Sequence, residues 1–282
     1  MTPEGRTRRW ATRWGLPATA AAVLLAVART TALHAEPLPD EGAPEGSDQH
    51  YAGSEIAKRE GWASTRSAAA PDQTGTVPGM DVSSHQGDVD WGRPWGDGAR
   101  FAYVKATEGT GYTNPHFQQQ YDGSRGVGMV RGAYHFALPD RSDGGTQADY
   151  FVDHGGGWAG DGMTLPGALD VEYNPYGDTC YGKDQDAMAE WVRQFSGRLA
   201  ERTGRHATIY TSTSWWNQCV GDKLRLGESN PLWVAHYTDQ LGQLPHGWDY
   251  QTFWQWQAAG QFPGDQNLFN GDAGQLTRLA TG

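Results

Sequence analysis

From about Gly79 to the end of the chain, short apolar runs alternate with amphipathic or glycine-bounded stretches. The runs fall at 80–82, 101–106, 129–136, 167–172, 208–211, 232–235, 253–256 and 265–269, and each has the length and composition of a strand. Helices are predicted between the earlier strands, over 115–126, 145–155 and 184–203. The last of these carries Ala187, Met188, Trp191, Val192, Phe195, Leu199 and Ala200 at helical spacing, and Gly204 stops it as a C-cap glycine. Strand–helix alternation over this length predicts an α/β domain with a parallel sheet, and eight strands predict a closed, TIM-like barrel. The last three strands are separated by Gly- and Pro-rich loops, so the final third is expected to be strand-dominated. A single domain is expected over 79–282.

The pattern is different before residue 79. Arg6, Arg8, Arg9 and Arg13 precede an apolar stretch over 16–27, followed by small-residue cleavage candidates at Ala28 and Ala35. This reads as a secretory signal peptide over 1–35, because the apolar stretch is short for a membrane span. Residues 36–78 are polar, rich in Gly, Ala, Ser, Pro and charge, and without a sustained period; a disordered leader is expected there. The alternative is a short helix over 53–62 that docks elsewhere on the protein.

The whole chain carries a net charge of −11, and removing 1–35, with its five Arg and one Glu, would leave −15. With no basic stripe, nucleic acid and anionic membranes are not expected partners. Thirteen of the aromatic residues are Trp, a composition suited to stacking on sugar rings, although Trp also fills cores. The two cysteines, Cys180 and Cys219, are expected to form one disulfide in an exported chain. No cofactor is expected, and no metal, because the nine His show no paired ligand spacing.

Chemistry concentrates where the runs end, and in a parallel barrel those ends form one rim. Asp170 and Glu172 sit one residue apart, so in an extended strand both project to one face. Two close carboxylates cannot both ionise cheaply, and one of them keeps its proton near neutral pH. A carboxylic acid beside a carboxylate is what cleavage of a sugar acetal requires. Asp81 lies between apolar Met80 and Val82, an expensive position for a carboxylate without a partner. Lys105 and Glu108 are spaced to pair as ions at the rim, and His85 and His135 read as scaffold histidines. Tyr134, Tyr173, Tyr210, Trp233, Tyr237, Trp254 and Gln255 lie near the remaining strand ends, divided between lining a sugar groove and packing the barrel.

These segments resemble, in order, the motifs of the family-25 glycoside hydrolases, the Chalaropsis-type lysozymes. The matching stretches are Gly79-Met80-Asp81-Val82-Ser83 with Gln86-Gly87, Lys105-Ala106-Thr107-Glu108-Gly109, Tyr134-His135-Phe136, Leu169-Asp170-Val171-Glu172, Trp254-Gln255-Trp256 and Asp265-Gln266-Asn267-Leu268-Phe269. The resemblance implies a barrel of five β/α units followed by three strands. It implies a secreted N-acetylmuramidase acting as a monomer on bacterial peptidoglycan, of actinomycete type. Glu172 then matches the general acid and Asp170 the residue that orients the 2-acetamido group. Asp81 completes the acidic site, and Asp265 is a fourth, supporting carboxylate. By strand rise the carboxyls of an i, i+2 pair lie roughly 6–7 Å apart, between nucleophile and water-activating geometries. Participation of the substrate's own acetamido group is the favoured route. The other functions considered are a non-catalytic glycan-binding barrel and a chitinase-like hydrolase.

Overall fold

Residues of alternate parity face opposite sides of a strand, and in β1 (Val77–Val82) this turns Gly79 and Asp81 inward while Met80 and Val82 face out. The computed structural model describes residues 42–61, 71 and 74–282; the expected signal peptide lies outside them. β1 pairs in parallel with β2 (Phe101–Glu108), which also carries a two-residue hairpin partner, β3 (Tyr112–Thr113). The parallel run continues through β4 (Val130–Phe136), β5 (Ala168–Asp170), β6 (Thr208–Ser212), β7 (Leu232–Ala235) and β8 (Phe253–Gln257). β9 (Asp265–Phe269) is antiparallel to both β8 and β1 and closes the eight-stranded barrel.

Helices follow the first five parallel barrel strands: α2 (Gly92–Gly96), α3 (Phe117–Gly126), α4 (Gly144–Asp153), α5 (Gln185–Thr203) and α6 (Thr213–Cys219). The helix α7 (Ala273–Thr281) ends the chain. This is the expected barrel of five β/α units and three further strands. Among the described residues no helix is long and apolar enough to cross a membrane.

The clearest predicted helix, α5, begins where Asp184 accepts a hydrogen bond from the Ala187 amide at 2.8 Å and ends at Gly204, with φ of 79°. Its Met188, Trp191, Val192, Phe195 and Leu199 are buried. α2, α6, α7 and β3 were not expected. α2, β3 and α6 are of seven residues or fewer, too short for a hydrophobic period to register. The disulfide joins Cys180, ahead of α5, to Cys219 at the end of α6.

The barrel interior is built in layers, as parallel barrels are. Phe253 sits 5.2 Å from Phe101 and 5.3 Å from Phe269, ring centre to ring centre. A methyl at Gly79 would come within 2.4 Å of the Phe101 ring, so the missing side chain makes room for the phenyl group. Tyr103 stacks on Trp233 at 4.8 Å, and Tyr210 meets the same indole edge-on at 4.6 Å. Truncating one such buried ring to Ala typically costs about 3–5 kcal/mol. Towards the C-terminal ends of the parallel strands the interior turns polar, with Asp81, Lys105, Gln255, Asp265 and Asn267 all buried.

Of the expected leader over 36–78, residues 42–61 do not stay apart from the barrel. Residues 42–61 are folded, in one compact unit with it, and carry α1 (Ser54–Glu60). The alternative expectation, a short docked helix, is what residues 54–60 adopt. Ala52 and Ile56 are fully buried in the main core cluster. Helices this short are unstable alone, and α1 is held instead by hydrogen bonds to barrel side chains.

Candidate active site

The four acidic positions come from three strands and the second residue beyond β5. Asp170 ends β5, paired with Phe136 on one side and Tyr210 on the other. Glu172 lies two residues past the Asp170 pairing, outside the strand, and is completely buried. Asp81 and Asp265 are register partners across β1 and β9, so the same two strands deliver both.

Asp81 is held by two amides. Gln255 Nε2 donates to Asp81 Oδ2 at 2.9 Å, and Asn267 Nδ2 donates to the same oxygen at 2.6 Å. The Asn267 carbonyl accepts from Trp233 Nε1 at 2.8 Å, which orients it. Gln255 Oε1 accepts from the hydroxyls of Tyr210 and Tyr237, each at 2.7 Å. Burial pushes Asp81 up to about 7, against the two amides, which favour its charged form.

The other carboxyls are also shifted upward. Burial raises Glu172 to about 8, opposed by the backbone N–H groups of Gly53 and Ile56. Asp170 is raised well above the usual carboxylate range by burial and then by the charge of Glu172, with Lys105 opposing. Burial raises Asp265 too, reinforced by Asp81 and Glu172. Neither oxygen of Asp170 has a hydrogen-bond partner among the described residues. A fully buried carboxyl with no donor is an acceptor awaiting a ligand, or a group that keeps its proton.

Lys105 and Glu108 form a completely buried ion pair at 2.6 Å. Glu108 also accepts from the Tyr176 hydroxyl at 2.6 Å. Its carboxyl is held below the usual range because Lys105 and these hydrogen bonds outweigh burial. Two further Lys105 bonds go to the carbonyls of Ser47 at 3.0 Å and His50 at 2.5 Å, both in the leader.

The aromatic positions divide. Tyr134, Tyr210 and Tyr237 bring their hydroxyls to the acidic cluster or to the leader lying on it. Tyr173 is at the rim, bonded to Glu60 at 3.0 Å. Trp233 is wholly buried beneath the polar layer and supports it. Trp254 is not brought to the groove: strand parity places it on the face of β8 opposite Gln255, and its indole donates to the His236 carbonyl. His135 is the scaffold residue expected, buried between Thr107 and Gln147 and lowered to about 4 by burial. His85 is exposed and stacks on Tyr51.

Sequence reasoning missed Asn267 and the leader as parts of this cluster. Asn267 was visible, since its parity on β9 matches that of Asp265. The leader offered only a short helix over 53–62, with nothing to place it on the acidic cluster.

A parallel-stranded barrel with clustered acids of raised pKa at its C-terminal rim is the architecture of a glycoside hydrolase acting by acid–base chemistry. The chain belongs to glycosyl hydrolases family 25, whose profile matches residues 80–265. It is 41% identical over 268 residues to lysozyme M1 of Streptomyces globisporus, covering 92% of this chain and 90% of that one. It is 46% identical over 211 residues to the N,O-diacetylmuramidase of a Chalaropsis species, covering 73% of this chain and 100% of the relative. Its fold matches a family GH25 lysozyme from Aspergillus fumigatus with a TM-score of 0.72 and 44% identity, over 73% of this chain and all of that one.

Proposed function

We propose that this protein is a secreted, monomeric muramidase that hydrolyses the β-1,4 bond between N-acetylmuramic acid and N-acetylglucosamine in bacterial peptidoglycan. The observation that carries the reading is the convergence of Asp81, Asp170, Glu172 and Asp265 on one polar layer at the barrel rim. Family membership supports the glycosidic chemistry, and the names of the relatives support the muramic acid bond.

Glu172 is the proposed general acid. Burial raises its carboxyl above the ordinary range, the direction that favours the protonated form needed to protonate the leaving glycosidic oxygen. The acetamido oxygen of the muramic acid then attacks its own anomeric carbon as the bond to oxygen breaks. Asp170 is the proposed partner of the acetamido N–H, and its unbonded oxygens suit a donor that arrives only with substrate. Water, giving its proton to the Glu172 carboxylate, then opens the cyclic intermediate and restores the acid. Asp81 and Asp265 complete the acidic cluster beside Glu172 and Asp170, and Tyr134, Tyr210, Tyr237 and Gln255 form the polar wall.

Mass spectrometry of digested peptidoglycan tests the assignment. New reducing ends should be on N-acetylmuramic acid; reducing N-acetylglucosamine ends would reject it. Glu172→Gln should lower turnover by roughly 10²–10⁴-fold, the usual worth of a general acid.

A further inference from the structure

The leader lies across the acidic cluster. The Gly53 amide donates to Glu172 Oε1 at 2.7 Å, while the amides of Ile56 and Glu55 donate to Oε2 at 2.8 and 3.2 Å. The Ala52 carbonyl accepts from Gln255 Nε2 at 3.0 Å, and the Gly53 carbonyl from the Tyr237 hydroxyl at 3.3 Å. A single peptide unit thus bridges Glu172 to the amide that holds Asp81. Further out, Lys105 is tied to Ser47 and His50, and Glu60 takes the hydroxyls of Tyr173 and Ser212. Ala52, Gly53 and Ile56 are buried in the process. No sugar ring can reach the Glu172 carboxyl while three backbone amides occupy both its oxygens.

The fit depends on Gly53. Its φ of 93° is left-handed, and an added Cβ would fall 1.9 Å from the Tyr237 hydroxyl and 2.7 Å from both Gln255 Oε1 and the Tyr210 hydroxyl. Only glycine passes at that point.

The comparisons agree with a segment separable from catalysis. The Chalaropsis muramidase is matched over its whole length by 73% of this chain. That share is too short to hold both residues 42–53 and the family's 80–265. The match to lysozyme M1 covers 92% of this chain, more than Val77 to Gly282 can supply, so it extends into the residues ahead of the barrel.

We propose that residues 42–61 are a built-in inhibitor that occupies the glycan cleft, and that the enzyme works only when they leave it. The proposal rests on the muramidase reading for the identity of the excluded ligand. The test compares the full chain with its Gly53→Val variant, with Ile56→Asp as a second way to unseat the segment. Neither change touches the barrel's own residues. Both variants should clear peptidoglycan faster than the parent by about tenfold or more, the inverse of the fraction of parent chains with an open cleft. A synthetic peptide of residues 42–61 should inhibit the Gly53→Val chain, and the same peptide bearing Gly53→Val should not. Equal rates for parent and variants would overturn the inhibitor and leave the muramidase standing. If no chain hydrolyses peptidoglycan, the muramidase reading fails. Binding of a soluble N-acetylglucosamine–N-acetylmuramic acid tetrasaccharide then decides the inhibitor: binding to the variants alone supports it, and equal binding overturns it.

Discussion

Gln255 donates through Nε2 to Asp81 Oδ2 at 2.9 Å, and that bond orients the Gln255 amide. Its oxygen must then face the hydroxyls of Tyr210 and Tyr237, both of which donate to it. One side chain thereby connects the strand-one carboxyl to two tyrosines from the far side of the barrel. A leucine at this position removes a donor to Asp81 and leaves two hydroxyls without their acceptor. Hydrogen bonds to charged groups are worth about 1.5–3 kcal/mol, so Gln255→Leu, made in the Gly53→Val chain because Gln255 also holds the Ala52 carbonyl, should lower kcat/KM by roughly 10–100-fold. Losing a bond that favours the charged form should also move the Asp81 inflection upward in the pH–rate profile. A merely structural Gln255 would lower the rate without moving that inflection.

Asp81 also makes stability depend on pH. Its folded pKa is raised to about 7 from an ordinary 3.8, so between those values the folded state binds a proton that the unfolded state has released. Stability therefore falls as pH rises through that window. Asp81→Asn has no proton to lose. Unfolding free energies from urea titrations of parent and variant should diverge from about pH 4 to about pH 7 in the variant's favour, by at most about 4 kcal/mol. The gap should then stay level at higher pH. A constant offset at all pH values would show that the carboxyl is not shifted in the fold.

Much of this was legible from the runs and their ends. β7 and β9 begin and end where the apolar pattern does, and Asp81 stood out because its neighbours Met80 and Val82 are apolar. Parity along β8 distinguishes inward Gln255 from outward Trp254, yet four residues with three aromatics hide which face is which. Glu172 belongs to the site although the strand stops at Asp170, and its charge acts on the Asp170 carboxyl. Residues 42–61 were legible only as a short helix over 53–62, with nothing to say where it docks. Between Pro44 and Gly61 the only aliphatic side chain larger than alanine is Ile56, so no period forms. What orders the segment is backbone amides and carbonyls meeting Glu172, Gln255 and Lys105, and backbone groups leave no mark in a sequence.

Lys105 and Glu108 test a different quantity. Both are fully buried, and the carboxylate keeps its charge because the ammonium is 2.6 Å away. Lys105→Met strands that charge and removes the donor to two leader carbonyls. Breaking one partner of a buried pair costs about 3–5 kcal/mol, and the variant's denaturation midpoint should fall accordingly. The double variant with Glu108→Gln should recover a large part of the loss, because no buried charge is then unpaired. If Lys105→Met unfolds at the parent's midpoint, the pair carries no structural weight.

Asp170 separates the possible stereochemical routes. If the acetamido group attacks the anomeric carbon, two displacements occur at one centre and the first product is the β-anomer. Proton NMR during the first minutes of hydrolysis reads this directly, and an initial α-anomer would rule the route out. Asp170 contributes through the acetamido N–H, so its effect should vanish when that group is absent. Asp170→Asn should lower kcat by roughly 10²–10³-fold on N-acetylated strands, the range for losing one stabilising contact to developing charge. On strands de-N-acetylated at the muramic acid, parent and variant should be equally slow. This non-additivity is the signature of two groups acting through one interaction. A full Asp170→Asn penalty on both substrates would instead make Asp170 a direct nucleophile or base, independent of the acetamido group.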